Sequence, residues 1–132
     1  MAPTIAPAES ADRYAEGQIW EYKTRLQDTR SLLKIQRIED GGTRGKIYHI
    51  SIVGIVIGGN ATVLTHSPVS RAALDASVTR LSDAKLDWPD PTEGIAEWRA
   101  AKGGVFTIPV AEIADITEKG MMQQRSAGNE RT

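Results

Sequence analysis

The stretch from Gly45 to His66, GKIYHISIVGIVIGGNATVLTH, limits the fold more than any other part of the chain. Residues Ile47 to Ile57 are dominated by Ile, Val and Tyr, side chains that fit a pleated, packed surface. Gly58-Gly59-Asn60 interrupts the run and Ala61 to Thr65 resumes it. Gly-Asn at positions 59 and 60 suits the centre of a type II′ turn, which predicts a long β-hairpin.

The flanking sequence supplies partners for that hairpin. Residues 1–16 are rich in Ala, Pro, Ser and acids without periodicity and read as a flexible tail. In Ile19–Arg25, Trp20, Tyr22 and Thr24 alternate with Glu21, Lys23 and Arg25, the pattern of a half-buried strand. Ser31–Glu39 is a second strand with a broken pattern: Leu33 and Ile35 share one face, Leu32 and Ile38 the other. Either both faces are partly covered or a bulge shifts the register. After His66 the period changes. Ser67-Pro68 reads as a cap and first position of a helix reaching Leu81, with Leu74, Val78 and Leu81 on one side. Asp90-Pro91-Thr92-Glu93 starts a second helix, with Ile95, Trp98 and Ala101 as its apolar stripe and Gly103-Gly104 as its end. Val105–Ile108 reads as a brief last strand, and a third helix runs from Pro109 to Gly120. Residues 121–132 read as a second flexible tail. The expected product is one α+β domain over residues 17–120. A bent, mainly antiparallel sheet of four to five strands, a meander with a central hairpin, packs with about three helices. Its core comprises Trp20, Tyr22, Leu33, Ile35, Ile50, Ile52, Leu74, Val78, Ile95, Trp98, Ile113 and Ile116.

Composition excludes several classes of function. A formal charge of −1 argues against a polyanion-binding protein. The absence of cysteine removes disulfides, thiolate metal sites and thiol nucleophiles, and fits a reducing compartment. No apolar run reaches membrane-spanning length, and the N-terminal residues lack the basic and apolar regions of a secretory signal, so a cytoplasmic location is expected. With 132 residues the chain holds one domain with a proper core.

The segments GQIWEYKTR, SLLKIQRIE, GKIYHISI, HSPVSRAALDASVTRL and WRAAKGGVFTIPVAEI, in this order, resemble a family of small bacterial proteins of unknown function. The resemblance covers about residues 17 to 118 and implies a single intact domain. It brings no activity, and therefore no catalytic residue.

No motif for a cofactor, a metal or a catalytic residue survives a geometric reading. With the turn centred on Gly59-Asn60, Val53 faces His66, and His49 lies four residues further along the same face. That spacing separates the two rings by roughly 13 Å, beyond a shared metal. Ser67, next to His66, is committed as a helix cap and matches no nucleophile motif. Gly41-Gly42 and Gly58-Gly59 join strand to strand, the wrong context for a phosphate loop. Lys and Arg outnumber acids over residues 17–49, and the balance reverses over 70–100. A basic face could take RNA, but Trp20 and Tyr22 point away from Lys23 and Arg25, so nucleic acid is disfavoured.

The resulting expectation is a non-catalytic small domain that binds a protein partner or a second copy of itself, a homodimer in the latter case. Val53, Ile55, Ile57 and Leu64 form a second apolar face of the hairpin. Helices cover that face, or it is bare and marks an interface. The alternative is a small-molecule-binding domain or minor enzyme with a pocket between sheet and helices, lined by Arg25, His66 and Ser70. Trp88, in a loop between Asp87 and Pro89, is a further candidate anchor for a ligand.

Overall fold

A computed structural model describes residues 13–130, with side chains defined through Gln124. Residues 1–12 and 131–132, assigned above to loose tails, lie outside the described residues. Strands β1 (Ile19–Tyr22), β2 (Leu32–Asp40), β3 (Lys46–Ile57) and β4 (Asn60–Ser70) lead into helix α1 (Arg71–Ser77). Strand β5 (Val78–Ser82) and helices α2 (Thr92–Ala100) and α3 (Val110–Glu130) complete the chain. The strands form one antiparallel sheet in the order β4-β3-β2-β1-β5. This is the α+β architecture expected from the sequence. Among the described residues no helix is long and apolar enough to cross a membrane.

The hairpin closes one residue earlier than its sequence suggests. Ile57 pairs with Asn60, so the turn residues are Gly58 and Gly59, with φ of 58° and 82°. Positive φ at both central positions is the type I′ geometry, whose twist matches that of the strands.

Two bulges of opposite sense follow. Between the pairs Ile52↔Leu64 and Ile55↔Thr62, β3 places Val53 and Gly54 against Val63 alone. Between Ile50↔Ser67 and Ile52↔Leu64, β4 places Thr65 and His66 against Ser51 alone. Gly54 supports the first bulge with a φ of 79°, and a Cβ there would lie 3.0 Å from Ser31 Cα. One extra residue moves every later side chain to the other face. Tyr48, Ile50 and Ile52 therefore share their core with Ile55 and Ile57. This corrects the second-face reading of Val53, Ile55, Ile57 and Leu64. Ile55 is fully buried and Ile57 nearly so, Leu64 packs partly on the same core, and only Val53 is left partly exposed outside it. Conversely Val63 is 49% exposed.

A third bulge, at Gln36, resolves the broken pattern of β2: Ile35 pairs with Ile50, and Arg37 with His49. Leu33, Ile35 and partly buried Ile38 then all meet the main core, which is closed by Ala73 and Leu74 of α1 and by Val110, Ile113 and Ala114 of α3. Ile116, expected in that core, is 51% exposed. Tyr14, expected in the loose tail, is 3% exposed. Its ring packs edge-on against Trp20 and Tyr48, and its hydroxyl donates to Asp75.

Of the helix expected over residues 68–81, only the middle half forms. Pro68 lies in edge strand β4, where a residue without an N–H is tolerated on the outer side. Its carbonyl accepts from Phe106 N, and Phe106 O accepts from Ser70 N. That parallel bridge is all that Val105–Ile108 contributes to the sheet. Ser70, not Ser67, caps α1 by accepting from Ala73 N. Val78 onward pairs with β1, because a β-branched segment next to an open edge gains a full set of backbone hydrogen bonds there. Helix α3 continues through Gly120 to Glu130, since Gly120 does not adopt the left-handed conformation that would end it.

Two substitutions test this packing. Tyr14→Ala should lower unfolding free energy by about 3 kcal/mol or more, as for other buried aromatics, in urea denaturation followed by circular dichroism. Ile55→Asp should leave the isolated domain unfolded, because it buries an unpaired charge; a folded variant would place Ile55 on the surface.

Candidate functional site

The face of the sheet opposite the main core carries a polar cluster built on three adjacent strands. Glu39 from β2, His49 from β3 and His66 from β4 are hydrogen-bonded in series: Glu39 Oε1 to His49 Nε2 at 2.7 Å, and His49 Nδ1 to His66 Nε2 at 2.8 Å. The expected separation of the histidines is thus overturned. A turn centred one residue earlier moves the residue facing His66 by two, from Val53 to Ser51. Ser51 is the nearest same-face neighbour of His49. The β4 bulge is then tied down by side chains: Ser51 Oγ donates to Thr65 O, and Gln36 Nε2 bridges Ser51 Oγ and Pro89 O.

Helix α2 closes over the pair. Arg99 donates to the same Glu39 oxygen at 2.6 Å. Trp98 stands edge-on to both imidazoles, with centroids 5.0 and 6.3 Å away, and its indole N–H donates to Gly104 O. Gly94 packs so closely that a Cβ would lie 2.8 Å from His66 Cβ. A glycine inside a helix costs about 1 kcal/mol relative to alanine, so Gly94 was the one local sign in the sequence that something approaches α2. The Asp90 carboxylate accepts from Thr92 N and Oγ1 ahead of the helix, which lowers its pKa.

The hydrogen-bond order fixes the proton positions. A Glu39 carboxylate only accepts, so His49 Nε2 donates to it. His49 Nδ1 then presents a lone pair, which accepts from His66 Nε2–H, and His66 Nδ1 is left as a bare acceptor beside Gly94. Burial holds both rings neutral. His49 is lowered from its ordinary value, burial outweighing Glu39, whose charge is shared with Arg99. His66 is pushed down to about 4, by burial first and then by His49. Both nitrogens of His49 are engaged, and among the described residues no group of three His, Cys, Asp or Glu is arranged to hold a metal.

Beside the pair lies an open groove of about 590 Å³ between β4 and α2, lined by Thr65, Asp90, Glu93, Gly94 and Glu97 among others. Its rim is acidic. Its strand side is the outer edge of the sheet, since among the described residues β4 has no strand beyond it except the Phe106 bridge at Val69.

The other candidate residues are elsewhere and otherwise employed. Arg25 is 9% exposed and pairs with Asp28, Glu118 and Asp115, chiefly Asp28, which raises its pKa. Arg25 also donates to Val56 O while Asp28 accepts from Val56 N. Together they satisfy β3 where β2 has already ended. Ser70 is spent as the α1 cap. Trp88 is half-buried, with its indole N–H enclosed and unpartnered among the described residues. Arg25, His66 and Ser70 belong to separate hydrogen-bond networks and share no partner. Trp20 and Tyr22 are buried and offer no stacking face; Tyr22 donates to Ser31, which donates to Val53 O, and burial pushes it up to about 12.

No family model matches the chain, and no curated protein or solved structure matches it at a significant level.

The depressed His66 pKa makes stability pH-dependent. The unfolded chain takes up this proton near 6.5 and the folded one only near 4. The contribution is therefore whole above about 6.5 and is lost as pH falls toward 4, by roughly 3 kcal/mol at most. His66→Gln retains an N–H donor toward His49 and does not titrate. The stability of wild type relative to this variant should fall steadily between these pH values in urea titrations.

Proposed function

We propose that this domain is a non-catalytic protein-binding module that takes an extended, basic segment of its partner as an added strand on β4. The supporting observation is the character of that edge. Asn60–Thr65 carries no charge and no proline. Alternation from Asn60, which closes the turn, directs the N–H groups of Ala61 and Val63 away from β3. Native proteins blunt such edges with charges, prolines or a covering element. The opposite edge follows that rule: β5 is five residues long and carries Arg80, paired with Glu21 at 3.2 Å. An unblunted edge fits use by strand addition, in which the main chain supplies affinity and neighbouring side chains supply specificity. Here those neighbours include the carboxylates of Asp90, Glu93 and Glu97 in the groove, which accept and do not donate. Lysine and arginine side chains of a partner strand match them. A second copy of the chain matches them less well, because its β4 segment brings no positive charge.

Panning a random decapeptide display library on the folded domain tests this. Selected sequences should alternate β-branched residues with Lys or Arg, and their amide shifts should map to residues 61–65 and 93–97. Val63→Pro removes one outward N–H without touching the β3 ladder, and should abolish binding while preserving the circular dichroism spectrum. Selection of acidic peptides, binding indifferent to Val63→Pro, or concentration-dependent dimerisation through β4 in sedimentation would overturn the reading.

A further inference from the structure

The histidine pair is a feature that a binding edge by itself does not require. Three observations bear on what it does. First, α2 is held by little apolar surface: Ile95 is its buried side chain, and it lies outside the main hydrophobic cluster. Second, three attachments of α2 converge on the pair: Arg99 on the Glu39 that holds His49, the Trp98 edge on both rings, and Gly94 on His66, with Arg44 set over the Trp98 ring beside them. Third, the geometry accepts a proton on only one of the two facing nitrogens. In the neutral pair one nitrogen donates and the other accepts across 2.8 Å. If both rings are protonated, two N–H groups point at each other across that distance and two cations stack with centroids 5.0 Å apart. The intact pair therefore excludes a second proton.

We infer that Glu39, His49 and His66 form a proton-operated latch for α2: neutral, it holds the helix on the sheet, and protonation of the histidines releases it while the main core stays folded. The charged groups around the pair are divided: Glu39 favours a cation at His49, and burial outweighs it. Arg37 of β2 and Arg99 of α2 both disfavour a cation at His49. Asp90, Glu93 and Glu97 line the groove on the solvent side and come free with the helix. In the released state each imidazole regains water and its ordinary affinity for protons, so opening is favoured as pH falls below about 6.5. Release exposes Ile95 and uncovers His49 and Ile47, whereas the cluster of Leu33, Ile35, Tyr48, Ile50 and Leu74, covered by α1 and α3, is untouched. The inference does not depend on strand addition, since it concerns one helix of the isolated domain.

Hydrogen exchange by mass spectrometry, corrected for the intrinsic pH dependence of exchange, reads the latch directly. Between about pH 6.5 and about pH 4.5, protection in peptides covering residues 92–104 should fall by on the order of a hundredfold, with peptides from 47–57 and 110–118 unchanged. In His66→Gln the fall should be at least tenfold smaller. An equal fall in His66→Gln would assign the release to carboxylates and overturn the latch. So would simultaneous loss in all three regions, or no loss in wild type. Imidazole 15N spectra of the wild type give a reading that needs no variant. At about pH 7.5 both rings should be neutral with the proton on Nε2, and they should gain protons in step with shifts of the α2 amides. Rings that titrate independently of those amides would equally refute it.

Discussion

The register of the β3–β4 hairpin is the constraint on which the other features rest. A strand has a strict period of two, so each inserted residue exchanges inside for outside along everything beyond it. The chain uses this twice in opposite senses. The Val53-Gly54 bulge brings Ile55 and Ile57 into the core with Ile50 and Ile52. The Thr65-His66 bulge turns a histidine toward Ser51 and His49 and restores the pairing register of the turn by Ile50↔Ser67. Without the first, the hairpin would have two apolar faces; without the second, no histidine pair.

Bulges interrupt the ladder, and the exposed backbone groups have to be satisfied. Here side chains take over. Ser31 Oγ donates to Val53 O, and Ser51 Oγ donates to Thr65 O, so a serine serves each hairpin bulge. Past the end of β2, the Arg25–Asp28 pair accepts from and donates to Val56 as a neighbouring residue of a strand would. Glu118 then ties Arg25 to α3. These polar contacts explain why Asp28 and Ser31 are buried and the Arg25 side chain is largely enclosed.

The two faces of the sheet differ in what holds their cover. The inner face is closed mainly by aromatic and aliphatic side chains of Tyr14, α1 and α3, a non-directional attachment to which the Arg25–Glu118 ion pair is added. The outer face is closed by α2 through an ion pair to Glu39 and ring contacts to the histidine pair. Directional polar attachments in a dry site are strong when fully satisfied, and this site has no place for a proton on both facing histidine nitrogens. The same helix forms one wall of the groove beside the free edge of β4.

Local patterns in the sequence determined the strands, the central hairpin, two of the helix starts to within a few residues, and most of the core, because hydrophobic period and turn chemistry act over neighbouring residues. Trp20, Tyr22, Leu33, Ile35, Ile50, Ile52, Leu74, Val78, Ile95 and Ile113 are buried as their spacing predicts. The fate of residues 78–82 was not local: a helix-compatible spacing became strand β5 because β1 offers an unpaired edge. Tyr14 is likewise buried by distant residues, Tyr48 and Asp75, that its own flanks do not announce. The candidate site was still less legible. Glu39, His49, His66 and Arg99 come from four elements, and their meeting depends on a turn placed at Gly58-Gly59 rather than one residue later. Either turn satisfies local preference. Packing chose between them, because only the observed register, with its two bulges, buries Ile55 and Ile57 and leaves the histidines within hydrogen-bonding distance.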